Sequence, residues 1–354
     1  MLKPMSEDLG WSRGALTVSV TSFMVISALA MPMYGRLIDR YSLRLILAIS
    51  VVTAGLGLTL VSFIREPWQF LICYGVVFAI GHAGFSISTI SVMISRWFPK
   101  RPGIANSIAI SGNGVGQLVI VAIIASLLIS QGWRFSYIAL SITTIAIVLP
   151  LVIILVRSNP PGEEHTDSSE SSGATSAETF QFATSTGKSI ISREYGLLVL
   201  LYAICGFQDF FVATHVVATH VVAFALDLGL TYRVAGHILA FMGVLGIIGV
   251  LISGVASDKF GPARPVLLCF LIRLPIFAFI MLEQNTTAIV IFAFLYGFTF
   301  LMTAPLAVIF SAKLFGSKRL GMLNGLISSV HQISGGLGAY VGAMIFDLWN
   351  TYNG

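Results

Sequence analysis

The chain has 354 residues; 56% are apolar, only 10% are charged, the formal charge is +5 and the mean hydropathy is +0.92. An average soluble domain carries about 25% charged residues. So few charges cannot cover the surface of a soluble globule, which excludes an ordinary cytosolic enzyme, a disordered chain and a disulfide-built secreted domain and leaves an all-α polytopic membrane protein.

A spanning helix needs about 20 mostly apolar residues. Ten runs meet that requirement: Ala15–Tyr34, Leu45–Ile64, Trp68–Ser95, Gly103–Ser130, Phe135–Val156, Tyr195–Leu226, Val234–Ser257, Pro265–Leu282, Thr286–Ala312 and Leu320–Phe346. The runs are too long for strands of a closed barrel and do not alternate. They divide five and five around a polar stretch, giving an N-terminal bundle over 1–156, a flexible linker over 157–194 and a C-terminal bundle over 195–354. The linker is rich in Ser, Thr and Glu and cannot bury a core. Its Ser185-Thr186-Gly187-Lys188-Ser189 ending has Phe182 where a phosphate loop needs glycine, so no ATP site is expected.

Basic residues set the orientation. One set of loops holds fourteen Lys and Arg and the other set holds five, so the first set is expected in the cytoplasm. The basic residues form no aromatic-interleaved patch, which argues against nucleic acid. Cys73, Cys205 and Cys269 lie far apart in apolar runs, which argues against a metal or disulfide. No cofactor is expected, and no nucleophile elbow, metal cluster or set of convergent carboxylates suggests an enzyme. The expected partners are the lipid bilayer and a small-molecule substrate; the expected setting is the cell (inner) membrane, as a monomer.

The runs contain two charged residues, Asp209 and Arg273. A charge at such depth is costly and should face a partner or a cavity. Two readings stand for this pair: a structural ion pair, or a substrate or proton site at Asp209. Asp209 and His220 are eleven residues apart and return to nearly the same helix face, so a relay between them is a further candidate. Asn113, Gln117, His331 and Gln332 are the other polar candidates for substrate binding or proton coupling. Glycine runs such as Gly112–Gly116 and Gly335–Gly338 read as close-packing seams.

The two halves repeat. Gly35-Arg36-Leu37-Ile38-Asp39-Arg40 recurs as Gly254-Val255-Ala256-Ser257-Asp258-Lys259, and Arg101, Gly103 and Asn106 recur as Arg319, Gly321 and Asn324. At these residues the chain resembles the major facilitator superfamily. Its loop signature matches Gly35, Asp39, Arg40 and Arg44, then Gly254, Asp258, Lys259 and Arg264; Ser42 stands where the second copy has Gly261. The resemblance implies two pseudo-symmetric helix bundles and a secondary carrier working by alternating access. It also implies that about ten of twelve helices are present. Met1–Arg13 then reads as the outer loop after the family's first helix, and Asp347–Gly354 as the one before its last. The eight signature residues would hold the cytoplasmic side shut when the carrier faces outward.

Leu9-Gly10-Trp11-Ser12-Arg13, Tyr74-Gly75 and the run Arg96-Trp97-Phe98-Pro99-Lys100-Arg101 resemble the monocarboxylate and oxalate:formate carriers. That implies a small organic anion as substrate, moved by proton symport or by antiport. Against it, Ile238–Ser253 lacks the arginine that monocarboxylate carriers have there, and the last run has His331 and Gln332 instead of the oxalate carriers' lysine. Asn113, Gln117, His331 and Gln332 fall on helices that line the family's cavity. The alternative is a shortened membrane protein that does not transport, sensor-like or a decayed carrier.

Overall fold

A computed structural model describes residues 1–156, 192–212, 232–283, 285–316 and 319–349. Among them there are helices and no strands. Among the described residues, seven helical stretches are long and apolar enough to cross a membrane: Ala15–Arg40, Leu43–Val61, Pro67–Trp97, Pro102–Leu155, Arg193–Phe211, Ala240–Phe260 and Ala263–Ile280. Each of the ten apolar runs overlaps helix in its described residues, although several are interrupted and the runs ending at Ile64 and Val156 extend past the helix ends.

The chain begins with a short helix, α1 (Leu2–Leu9), where the sequence suggested only a loop. Gly10, at φ 68°, ends it in the left-handed conformation that glycine adopts without strain. Met5 is fully buried with Leu16, Leu58, Val61, Trp133 and Tyr137. Asp8 fixes the helix by accepting from Trp133 Nε1 at 3.0 Å and Arg134 at 2.9 Å. A local apolar count misses such an element because its burial comes from residues far along the chain.

Ser12 caps α2 (Arg13–Arg40), its side chain accepting from the Ala15 N–H. Then follow α3 (Leu43–Val61), α4 (Pro67–Phe70), a π-helical stretch at Leu71–Phe78, α5 (Ala79–Gly84) and α6 (Ile87–Trp97). The run Trp68–Ser95 is therefore not one straight rod; it breaks at Phe85 and Ser86, where Ser86 is extended at ψ 163°.

The helical stretch α7 (Pro102–Thr143) contains Gly132 at φ 81°, ψ 177°, which no α-helix accommodates, and continues through π-helical Thr144–Val148 into α8 (Leu149–Leu155). It thus holds two rods, divided where the sequence leaves its gap between Ser130 and Phe135. This backbone region is essentially restricted to glycine. Gly132→Ala is expected to lower stability by about 1–3 kcal/mol, read as the midpoint of thermal unfolding. Because nothing lies within 4 Å of an added Cβ at Gly132, any loss reports backbone strain and not crowding.

The second half holds α9 (Arg193–Phe211), α10 (Tyr232–Phe260), α11 (Ala263–Leu282), α12 (Thr286–Thr299), α13 (Leu306–Phe315) and α14 (Leu320–Trp349). The sequence treats Thr286–Ala312 as one span, but turns over residues 300–305 break it. Pro305 lacks an N–H and disfavours helix at the residue before it.

By contacts the chain forms two compact units. One comprises Met1–Pro102, Ile123–Ser189 and Ser311–Leu326; the other comprises Gly103–Ala122, Ile190–Phe310 and Ile327–Gly354. Chain order and compactness therefore differ: the start of α7 groups with the second half, and the end of α13 from Ser311 with the start of α14 groups with the first.

Candidate functional site

Asp39 lies in the last turn of α2. Its Oδ1 accepts from Arg96 at 2.6 Å and from the Gly321 N–H at 2.9 Å, and its Oδ2 accepts from the Met322 N–H at 2.9 Å. Arg96 also donates to the Ile38 carbonyl at 2.9 Å. Gly321 and Met322 open α14, where backbone N–H groups lack helical partners and the helix dipole is positive. A carboxylate facing two such groups satisfies both.

Asp258 repeats this arrangement in the last turn of α10. Its Oδ1 accepts from the Gly103 N–H at 2.7 Å and its Oδ2 from the Ile104 N–H at 2.9 Å, at the start of α7. Gly103 and Gly321 occupy equivalent positions in the sequence repeat, as do Asp39 and Asp258. Each carboxylate thus holds the helix start that corresponds to the one held by the other. Both pairs rest on glycine: a Cβ on Gly35 would strike the Gly321 carbonyl, and one on Gly254 would strike Ser107 Oγ and the Gly103 carbonyl. Beside the first pair, Asn324 Nδ2 donates to Ser88 Oγ at 2.9 Å and to its carbonyl at 3.1 Å.

The basic residues of the loop signature sit elsewhere. Arg44 donates to the Val156 carbonyl, and Lys259 and Arg264 flank the Phe260 ring at 5.3 and 5.7 Å. Arg40 is exposed on the α2 surface beside Arg36 and Tyr41. The arginine that meets Asp39 is Arg96, which the sequence reading used for the family resemblance but did not assign to the corner.

The second cluster lies in the spans. Arg273 of α11 is 0% exposed and donates to Asp209 Oδ1 of α9 at 2.7 Å. Its remaining donors reach Gln208 Oε1 (3.3 Å), Thr299 Oγ1 (3.3 Å), the Thr299 carbonyl (3.0 Å) and the Phe300 carbonyl (3.2 Å). These two carbonyls stand where α12 breaks. Two more in the same turn are also satisfied by side chains: Met302 by Ser253 at 2.7 Å and Thr303 by Tyr202 at 3.0 Å. The interrupted helix is therefore sealed by side chains from α9, α10 and α11, as non-helical backbone at membrane depth requires. The sequence pointed to the pair but not to these carbonyls.

His331 of α14 brings its Nε2 within 3.7 Å of Asp209 Oδ2. Its ring sits among Tyr202 and Phe210, and Gly206 packs against its carbonyl. The described residues thus place His331 beside Asp209; the suggested partner His220 lies outside them. Asn113 is exposed, the Gln117 side chain lies outside the described ones, and Gln332 is half-buried. His82 is hydrogen-bonded to Ser27 Oγ at 3.3 Å beside Phe23 and Phe78. Gly335 and Gly338 pack against Phe210 and Phe207, as a seam would, whereas an added Cβ on Gly112 or Gly116 meets nothing within 4 Å.

The sequence matches the profile of the Major Facilitator Superfamily over residues 1–339. The chain belongs to this superfamily. It is therefore a multi-pass membrane protein of a transporter family, not an enzyme family. Among curated relatives, the uncharacterized MFS-type transporter YcxA of Bacillus subtilis is 26% identical over 99% of this chain and 83% of that protein. Monocarboxylate transporter 12 of Homo sapiens is 20% identical over 87% of this chain and 63% of the human protein. The fold is similar to that of the E. coli fucose:proton symporter, with a TM-score of 0.73 at 14% identity over 99% of this chain and 88% of that one. It is also similar to that of a human organic anion transporter, with a TM-score of 0.65 at 14% identity over 98% and 83%.

Proposed function

We propose that this superfamily member carries a small organic anion, a monocarboxylate being the first choice, by alternating access, as proton symport or as antiport. The observation that carries the mechanism is the twin corner: Asp39 on the start of α14 and Asp258 on the start of α7. The excess of Lys and Arg assigns these corners to the cytoplasmic side. Paired, they act as latches that keep that side closed; released, they let substrate out. The similarity to a monocarboxylate transporter supports the substrate class.

Two hydrogen bonds to a charged acceptor are worth about 1.5–3 kcal/mol each. Losing even one of these bonds should shift the closed population about tenfold or more, since 1.4 kcal/mol is a factor of ten. The test uses the full chain in proteoliposomes. A proton or counter-anion gradient should drive uptake of labelled formate, L-lactate or oxalate. With Ser107→Cys as reporter, Asp258→Asn should raise labelling by an impermeant maleimide from the cytoplasmic side about tenfold. Gradient-independent behaviour for every anion would sink the carrier reading. Unchanged labelling would sink the latch.

A further inference from the structure

The charge arithmetic of the buried cluster points to a division of labour. Asp209 and Arg273 are opposite charges 2.7 Å apart, so together they add nothing to the net charge at that depth. Arg273 has its donors committed to Asp209, Gln208, Thr299 and Phe300 and is 0% exposed. Asp209 is 13% exposed and His331 28%. Among the described residues of the cluster, His331 is the titratable group that combines the greatest exposure with a charged neighbour. It lies eleven residues into α14, or roughly 16 Å at 1.5 Å per residue, which is about half of a 30 Å hydrocarbon core. The groups that face it are Asp209 and Tyr202 from α9, with Arg273 of α11 behind Asp209 and Tyr296 of α12 behind Arg273.

We propose that His331 is the proton carrier of this protein, and that its imidazolium, backed by Asp209, is the site that holds the anion. The inference rests on the organic-anion reading above and deepens it. Imidazole is the side chain that ordinarily changes charge between about pH 5 and 8. The neutral ring takes a proton from hydronium, an N–H bond forms, and water leaves; on the other side of the membrane the proton returns to water. With His331 neutral the cluster has zero net charge. With His331 protonated it has one positive charge, which one monoanion cancels.

Coupling then follows from the cost of carrying charge through hydrocarbon. The empty, deprotonated carrier is neutral and can turn over. The carrier loaded with proton and monoanion is also neutral and can turn over. The carrier loaded with a proton alone holds an uncompensated charge and is held back. That penalty prevents a proton leak and fixes the stoichiometry at one proton per monocarboxylate. It also explains how an anion can be bound although Ile238–Ser253 holds no arginine.

Two measurements decide this. The first needs no substrate. In nanodiscs containing the 15N-histidine-labelled full chain, the ring signal that disappears in His331→Gln should pass from the neutral to the imidazolium form as the medium is acidified. A His331 signal that stays neutral throughout overturns the proposal.

The second measurement uses proteoliposomes with labelled formate and L-lactate. His331→Gln should lose proton-driven accumulation and exchange alike. His331→Lys supplies a fixed charge without the proton cycle. It should keep anion exchange, now independent of pH, while net proton-driven accumulation falls at least about tenfold. A merely structural histidine would not separate these two activities. Proton-driven accumulation at the unaltered protein's level in either variant overturns the proposal. Absence of any anion flux in the unaltered protein counts instead against the carrier reading, and leaves the titration to judge His331.

Discussion

Arg273→Met is expected to cost about 3–5 kcal/mol of stability, the range for removing one partner of a buried ion pair. Asp209 would be left at 13% exposure without its counter-charge, and the Thr299 and Phe300 carbonyls would lose their donor. Lysine should not rescue the site, because an ammonium lacks the planar fork that reaches Asp209 and α12 together. The double variant Asp209→Leu, Arg273→Met separates the two causes. It removes the charge imbalance but leaves both carbonyls unpaired, each at about 1–3 kcal/mol. The double variant should therefore recover part of the loss and stay below the unaltered protein. Unfolding in mixed micelles measures all three. A single variant costing under about 1 kcal/mol would show that the break at residues 300–305 does not depend on Arg273.

The second large effect is expected at the glycines under the latches. Gly254→Ala places a methyl group on Ser107 Oγ and the Gly103 carbonyl, so the α10 and α7 backbones must separate. Separation lengthens both bonds from Gly103 and Ile104 to Asp258. Transport should fall about tenfold or more, the effect of losing roughly 1.4 kcal/mol of latch energy, and cytoplasmic labelling at Ser107→Cys should rise. Gly35→Ala should do the same through the Gly321 carbonyl. Gly112→Ala is the control. Nothing lies within 4 Å of its Cβ, so the better helix propensity of alanine should leave transport intact and add about 0.5–1 kcal/mol of stability. Equal losses at Gly254 and Gly112 would show that the defect is general to the helices and not specific to close approach.

The twin corners were half legible. The repeat marked Asp39 and Asp258, and with them the glycines, because composition and spacing survive in the one-dimensional string. Their acceptor roles did not show, since the donors are backbone N–H groups at Gly321, Met322, Gly103 and Ile104, and every residue but proline has one. The sequence reading assigned the neighbouring Arg40, Arg44, Lys259 and Arg264 to the same corners, whereas Arg96 is the side chain that meets Asp39. Loop proximity is a poor guide to which of several arginines turns toward a carboxylate.

Hydropathy and charge by themselves determined that this is a helical multi-pass membrane protein with a duplicated plan, because the bilayer demands long apolar runs wherever the chain crosses it. They also marked Asp209 and Arg273, the only charges inside those runs, since a lone charge there is too costly to be accidental. The tertiary structure alone decided that His331 stands beside Asp209, what else Arg273 holds, and that Thr286–Ala312 is broken. Those facts depend on directions and distances between helices remote in the chain, and helical periodicity relates residues only within a single helix.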